Sequence, residues 1–156
     1  MAKSSNKKLS AKHAVPQHRD KQFISPRSVL PDAESSDKRI SWRFRHVDHD
    51  GPWGFDKVDG PTLCWIMERL AQFESMTINE LFNNGGYPGK DYDVEALPTP
   101  KSRERLIELG LSDMTKVWAL RLEGEPRLYG FLYGNCFHVV WWDPLHQVWP
   151  SNKKRT

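Results

Sequence analysis

The stretch that decides the fold is residues 116–142, which read KVWALRLEGEPRLYGFLYGNCFHVVWW. It holds three short runs rich in β-branched and aromatic residues, at 116–122, 127–133 and 136–142. The intervening sequences, EGEP at 123–126 and GN at 134–135, are typical of turns, because Gly, Pro and Asn adopt the backbone angles that tight turns require. The stretch therefore predicts an antiparallel meander of three strands.

A further strand is predicted upstream, at residues 40–47 (ISWRFRHV). Its large side chains alternate with polar ones, so that Ile40, Trp42 and Phe44 fall on one face of an extended chain. This pattern is typical of a strand with one buried face. We expect the strand to join the meander, although the sequence does not fix which strand it pairs with.

Three helices are predicted between this strand and the meander. Gly60-Pro61 opens the first, Thr77 and Glu80 form a capping box that starts a short second helix through Phe82, and Thr99-Pro100 opens a third that stops at Gly110. Residues 83–97 contain GGYPG and several acidic residues, which favours a mobile surface loop. The apolar stripes are Leu63, Ile66, Met67, Leu70 and Phe73 on the first helix and Leu106, Ile107 and Leu109 on the third.

The order of these elements predicts an α+β fold, with a small antiparallel sheet of four strands and two or three helices on one face. Residues 40–151 make up this single domain. Residues 1–39 carry nine Lys/Arg and four Asp/Glu and few large apolar residues, which predicts a disordered basic tail. This tail is interpreted either as a solvated extension or as an arm for nucleic acid or a partner. Residues 152–156 are expected to form a second, short basic tail.

Composition limits the class of protein further. No apolar run approaches 18 residues, and the start lacks the apolar core of a signal peptide, so we expect a cytoplasmic protein without membrane partners. The two cysteines, Cys64 and Cys136, have no CxxC spacing and are expected to be free thiols. Asp48-His49-Asp50 and the set of Cys136, His138 and His146 match no common metal site, so neither metal nor cofactor is expected.

The meander and the segment after it carry the candidate functional residues. Arg121 and Arg127 flank the first meander turn, Tyr129 follows, and His146 comes shortly after Asp143-Pro144. If these side chains converge, they form a phosphate-binding site, because the planar guanidinium makes two hydrogen bonds to phosphate at once and His transfers protons near neutral pH. Otherwise the arginines are charges at the rim of the sheet, and His146 only bonds Asp143 and shapes the turn.

Tryptophans are the second candidate feature. Trp141 and Trp142 are consecutive in a predicted strand, so they should face opposite sides of the sheet. One of them, or Trp149, is then either a stacking face for a nucleobase or partner side chain, or simply part of the packing. Trp141 and Trp149 are the candidate binding residues of this group.

The segment ALRLEGEPRLYGFLYGNCFHVVWWDPLHQVWP, residues 119–150, resembles the C-terminal half of the RelE/ParE-like toxin superfamily. The order of one strand, helices and a three-stranded meander also resembles that family. The resemblance implies a metal-independent endoribonuclease of a toxin–antitoxin pair, with RNA or the ribosome and an antitoxin protein as partners. It also implies that Arg121 and Arg127 hold phosphate, that His146 is the acid or base, and that Tyr129 and Trp149 orient or stack.

Two alternatives to the nuclease stay open. The first keeps the fold but makes it a non-catalytic protein-binding module, with an aromatic surface around Trp53, Trp141 and Trp149. The second is an interaction domain that performs no chemistry. Convergence of Arg121, Arg127 and His146 would favour the enzyme, since geometry decides first which group can act as a base.

Overall fold

The computed structural model of the chain describes residues 38–151. The predictions for residues 1–37 and 152–156 lie outside this range. Lys38 and Arg39, which were assigned to the tail, belong to the fold. The backbone amide of Ile78 donates to the carbonyl of Lys38 at 3.0 Å, and Arg39 forms an antiparallel bridge with Thr77.

The described residues form a mixed five-stranded sheet with three helices, which confirms the α+β class. The sheet has the order β1-β5-β4-β3-β2, in which β1 is parallel to β5 and all other neighbours are antiparallel. The last three strands form the expected meander. The strands are β1 Ser41–Arg43, β2 Gly89–Asp93, β3 Lys116–Arg121, β4 Arg127–Tyr133 and β5 Cys136–Asp143.

Strand β2 corrects two predictions, the four-stranded sheet and the mobile loop at 83–97. It pairs along its whole length with β3, and the Lys116 ammonium forms an ion pair with Asp91 at 2.6 Å. Edge strands commonly carry charged side chains, which protect the open edge from pairing with other chains. Strand β2 was therefore not predicted, because charged residues stand where alternating apolar residues would indicate a strand in the sequence.

The helices form where they were predicted: α1 is Gly60–Phe73, α2 is Ile78–Phe82 and α3 is Pro100–Glu108. The Asp59 side chain caps α1 by accepting from the Thr62 amide at 2.8 Å. The capping box of α2 is confirmed, because Thr77 and Glu80 each bond the other's backbone amide. These side chains satisfy amides that the first helical turn leaves without partners.

Two apolar cores lie on opposite faces of the sheet. Helices α1 and α2 cover one face, where Leu70, Phe73 and Trp142 are buried. Helix α3 and the segment after β5 cover the other face, where Leu106 and Trp141 are buried. Two helices therefore share one face, the lower of the two predicted numbers, and α3 lies on the opposite face. Leu63, Met67 and Ile107, which belonged to the predicted stripes, are exposed.

A β-bulge in β5 sets the faces of the two tryptophans. Tyr129 pairs with Trp141 while the next residue of β4, Gly130, pairs with Val139, so Val140 is an extra residue on β5. The carbonyl of Val140 accepts from the Asp48 amide at 2.9 Å. A side chain at position 130 would collide with the His138 carbonyl, so the bulge requires glycine there.

Candidate functional site

Arg121 and Arg127 lie directly opposite each other at the ends of β3 and β4. Like charges in such a cross-strand pair repel each other. Asp143 is the partner of Arg127 on its other side, in β5. Among residues 38–151, neither arginine forms an ion pair within 4 Å. This end of the sheet therefore holds two cations whose charge no contacting carboxylate neutralises.

The Arg127 side chain is held in place by the turn that precedes it. Its Nη1 donates to the carbonyls of Gly124 at 2.6 Å, Glu125 at 2.7 Å and Pro126 at 3.2 Å. No hydrogen bond within the described residues uses its Nε or Nη2. Only 8% of the residue is exposed, and burial together with the charge of Arg121 lowers its pKa, although a guanidinium stays charged at physiological pH.

His146 lies in the turn that follows β5, at the same end of the sheet. Burial and then the charge of Arg127 lower its pKa, the Asp143 carboxylate opposes this effect, and Arg121 lowers the pKa further. The imidazole is therefore mainly neutral near pH 7 and is able to accept a proton. Arg121, Arg127 and His146 thus lie at the same end of the sheet, and the charges of both arginines act on the imidazole. These three residues are called the arginine–histidine cluster below.

The His146 backbone has a φ of 55°, a left-handed conformation that is uncommon for a residue with a side chain. Such conformations persist only where the surroundings enforce them, and they are frequent at functional sites. Here the turn is enforced by Asp143, whose two carboxylate oxygens accept from the amides of Gln147 and Val148 at 2.9 and 2.8 Å. The imidazole Nδ1 lies 3.1 Å from the Ser151 hydroxyl, and no hydrogen bond within residues 38–151 uses Nε2.

One aromatic ring contacts the cluster, and a stacked pair of rings lies within electrostatic range of its arginines. The Arg121 guanidinium lies 5.5 Å from the centre of the exposed Tyr87 ring, in a cation–π contact. The rings of Tyr92 and Trp149 stack at 4.1 Å and both are half-buried. The charges of Arg127 and Arg121 act on the Tyr92 hydroxyl, which places this stacked pair near the cluster as well.

Two of the candidate binding residues are corrected by their burial. Tyr129 and Trp141 are both 0% exposed and belong to the core under α3. Burial and then the negative charge of Asp143 raise the pKa of the Tyr129 phenol, so it does not exchange protons with a ligand at neutral pH. Trp53 is also buried, and it packs on Trp141 with ring centres 5.1 Å apart. The expected aromatic surface around Trp53, Trp141 and Trp149 is therefore mostly interior, because the bulge and α3 enclose it.

A buried ion pair between Asp48 and Arg105 was missed by the sequence reasoning. Asp48 is fully buried, and its carboxylate accepts from Arg105 Nε at 2.9 Å, Arg105 Nη2 at 2.7 Å, Trp141 Nε1 at 3.0 Å and the Gly51 amide at 3.0 Å. Burial alone would raise the pKa of Asp48, but these donors outweigh it and lower the pKa. The Asp48-His49-Asp50 segment is thus a turn tied to α3.

The described residues offer neither a group of metal ligands nor a membrane-spanning helix. Within residues 38–151, no three His, Cys, Asp or Glu side chains are placed to hold a metal ion. No helix in the same range is long and apolar enough to cross a membrane. Comparisons of the chain with protein-family models, with curated proteins and with solved structures found no match. The resemblance to the RelE/ParE-like toxins therefore stays a prediction.

Proposed function

We propose that the chain binds RNA through its phosphates at the arginine–histidine cluster and cleaves it as a metal-independent endoribonuclease. The observation that carries the proposal is the facing pair of Arg121 and Arg127, which forms no ion pair within the described residues. Two cations held side by side stabilise an anion bound between them, and phosphate fits the planar donors of guanidinium best. The resemblance to RelE/ParE-like toxins supports the same assignment.

His146 is the general base in the proposed cleavage, because an imidazole whose pKa is lowered is neutral near pH 7 and accepts a proton. In the proposed reaction, the imidazole takes the proton of a ribose 2′-hydroxyl, whose oxygen then attacks the adjacent phosphorus. The bond from phosphorus to the 5′-oxygen breaks, and this oxygen takes a proton from water. The hydroxide that remains takes the proton of the His146 imidazolium, which restores water and the neutral base. The products are a 2′,3′-cyclic phosphate and a 5′-hydroxyl. Arg121 and Arg127 stabilise the negative charge that develops on the phosphate oxygens.

Messenger RNA on the ribosome is the substrate that the resemblance implies, and an antitoxin protein is the implied partner. The exposed ring of Tyr87 and the Tyr92–Trp149 stack flank the cluster and offer apolar surface to an unpaired base. These rings replace Tyr129 and Trp141 as the candidates for base contact. Trp149 keeps the role that was expected for it.

The test uses the full-length protein with RNA and with DNA of the same sequence, in the presence of a chelator. The wild type should cleave RNA and leave DNA intact, because DNA lacks the 2′-hydroxyl. His146→Ala should lower the cleavage rate about 100-fold while RNA binding is retained, which is the usual scale for loss of a general base. His49→Ala is the matched control, since His49 is an exposed histidine outside the cluster.

The arginines are tested by binding. Arg121→Ala and Arg127→Ala should each weaken RNA binding about tenfold, in line with the loss of a charge-assisted hydrogen bond. Arg103→Ala removes the same charge from an exposed position on α3 and should change binding less than twofold, as expected for a surface charge away from the site. Equal losses in all three variants would mean that binding depends only on net charge, and the site would then be misplaced.

The second candidate function is a protein-binding module without catalysis. An apolar groove of about 220 Å³ beside α1 favours it, because Phe44, Leu63 and Met67 remain exposed along this groove. If neither the wild type nor any variant cleaves or binds RNA, this module becomes the better interpretation. Its surface is then the α1 groove and not the buried tryptophans.

A further inference from the structure

A second groove lies at the other end of the sheet, where β4 ends at Tyr133 and β5 begins at Cys136. Its volume is about 570 Å³, within the range of pockets that hold small ligands. Arg43 is the β1 partner of His138 in β5, and these two residues form one side of the groove. The groove is therefore separate from the arginine–histidine cluster, which lies where β4 begins at Arg127.

The lining of this groove is cationic. No Asp or Glu is among the residues that line it. Lys116 is neutralised by its ion pair with Asp91, whereas Arg43 is exposed and forms no ion pair within residues 38–151. The rings of His46 and His138 lie 5.8 Å apart, and burial together with the charges of His46 and Arg43 lowers the pKa of His138. The local field thus favours an anion.

Aromatic rings line the same place. The Nδ1 atom of His138 is buried and without a hydrogen-bond partner in the described range, as are Trp42 Nε1, Trp53 Nε1 and the Tyr129 hydroxyl, so this nitrogen does not by itself indicate a ligand. Next to it, the Tyr133 ring is 84% exposed, and Trp118 is half-buried in the groove lining. Exposed aromatic faces of this kind stack on planar rings.

We propose that this groove binds a nucleoside phosphate, with the phosphate at Arg43 and the base against Tyr133. The phosphate fits the cation that forms no ion pair, and the base fits the exposed ring. The ligand is either a free nucleotide or one nucleotide of an RNA strand, since both present the same chemistry.

Cys136 provides a direct probe, because it lines the groove and is half-buried. In full-length protein with Cys64→Ser, which removes the exposed second thiol, the rate of Cys136 alkylation by iodoacetamide is measured with and without AMP or UMP. A bound nucleotide should shield the thiol, so at about ten times Kd alkylation should slow about tenfold. Inorganic phosphate and the parent nucleosides at the same concentration should protect less, because each lacks part of the ligand.

Arg43→Ala should weaken nucleotide binding about tenfold, the scale of one charge-assisted hydrogen bond. Arg45→Ala is the matched control: it removes the same charge two residues away, from an exposed position outside the groove lining. Protection by mononucleotides identifies a free nucleotide as the ligand, and protection only by a short oligoribonucleotide identifies a nucleotide of RNA. Absence of protection by either, or equal losses in Arg43→Ala and Arg45→Ala, would overturn the proposal.

The measurement is repeated in the Arg121→Ala/Arg127→Ala protein, which separates this groove from the proposed function. Protection of Cys136 should persist in that variant, since neither arginine lines the groove. If protection is lost together with RNA binding at the cluster, the thiol reports the cluster and the groove is not a site of its own. The protection of Cys136 by nucleotides tests this groove even if the chain does not cleave RNA, because the assay does not depend on cleavage.

Discussion

Replacing Asp48 with Asn should lower the free energy of unfolding by about 3 kcal/mol, the lower end of the range for breaking a buried ion pair from one side. Asp48 is 0% exposed and accepts four hydrogen bonds, two of them from Arg105 at 2.7 and 2.9 Å. An asparagine amide carries no charge and turns one acceptor into a donor that faces Arg105 in either orientation, together with the Gly51 amide or with Trp141. The expected loss of unfolding free energy is at the lower end of this range because the Arg105 side chain is 19% exposed and keeps its ion pairs with Asp50 and Glu108.

Asp50→Asn is the matched control, because Asp50 contacts the same Arg105 Nη2 at 2.8 Å but its side chain is 85% exposed. An exposed ion pair contributes little, so this variant should lose less than about 1 kcal/mol. Urea unfolding of the full-length proteins at pH 7, followed by tryptophan fluorescence, measures both losses. Equal losses for the two variants, or a loss below about 1 kcal/mol for Asp48→Asn, would refute the assignment of a stabilising buried charge.

The same pair predicts a dependence on pH. The pKa of Asp48 is lower in the folded chain than its ordinary value of 3.8, so its contribution to stability is fully present above pH 3.8. The contribution is lost as the pH falls through the lower pKa of the folded state. The stability difference between the wild type and Asp48→Asn should therefore shrink on acidification below about pH 3.8, and a difference that grows there would contradict the sign.

Leu70→Ala should lower the free energy of unfolding, measured in urea, by about 2–5 kcal/mol, because Leu70 lies on the buried side of α1. Met67→Ala changes a residue of the same helix that is 61% exposed, so it should lower this free energy by less than about 0.5 kcal/mol. Similar costs at both positions would mean that α1 is oriented differently. Gly130→Ala should lower the thermal midpoint, since the new methyl group meets the His138 carbonyl, and an unchanged midpoint would argue against the bulge. The cleavage rate should fall on acidification only below about pH 6.5, since the pKa of His146 lies under its ordinary value; a fall that begins above pH 6.5 would remove this histidine as the base.

Local signals account for the parts of the fold that the sequence predicts well. Turn residues set the meander, and Asp59, Thr77 and Glu80 mark the helix starts through bonds to amides no more than three residues away. The face on which α3 packs has no such local signal. A helical stripe indicates that one side is buried, but not which side of the sheet receives it.

Long-range features account for what was missed. Asp48 and Arg105 are 57 residues apart, and nothing near either residue indicates the other. The position of Arg121, Arg127 and His146 at one end of the sheet follows from strand pairing: a turn brings Arg121 opposite Arg127, and β5 returns to the same end. Their role as a site stays a prediction. Tyr129 and Trp141 were wrongly predicted as binding residues. The sequence indicates the strands on which they lie, but it does not indicate that α3 packs over them.

The extra residue at Val140 also determines the directions in which two residues of β5 point: His138, at one candidate site, and Asp143, beside the other. His138 and Asp143 are an odd number of residues apart, so a regular strand would point them to opposite faces. In this sheet they pair with Phe131 and Arg127, two residues of β4 that share a face, so both point the same way. His138, which lines the second groove, and Asp143, which pairs with Arg127 of the arginine–histidine cluster, thus face the same side, roughly 16 Å apart along β5. Deleting Val140 would place them back to back, and no single strand of RNA would then reach both from one side.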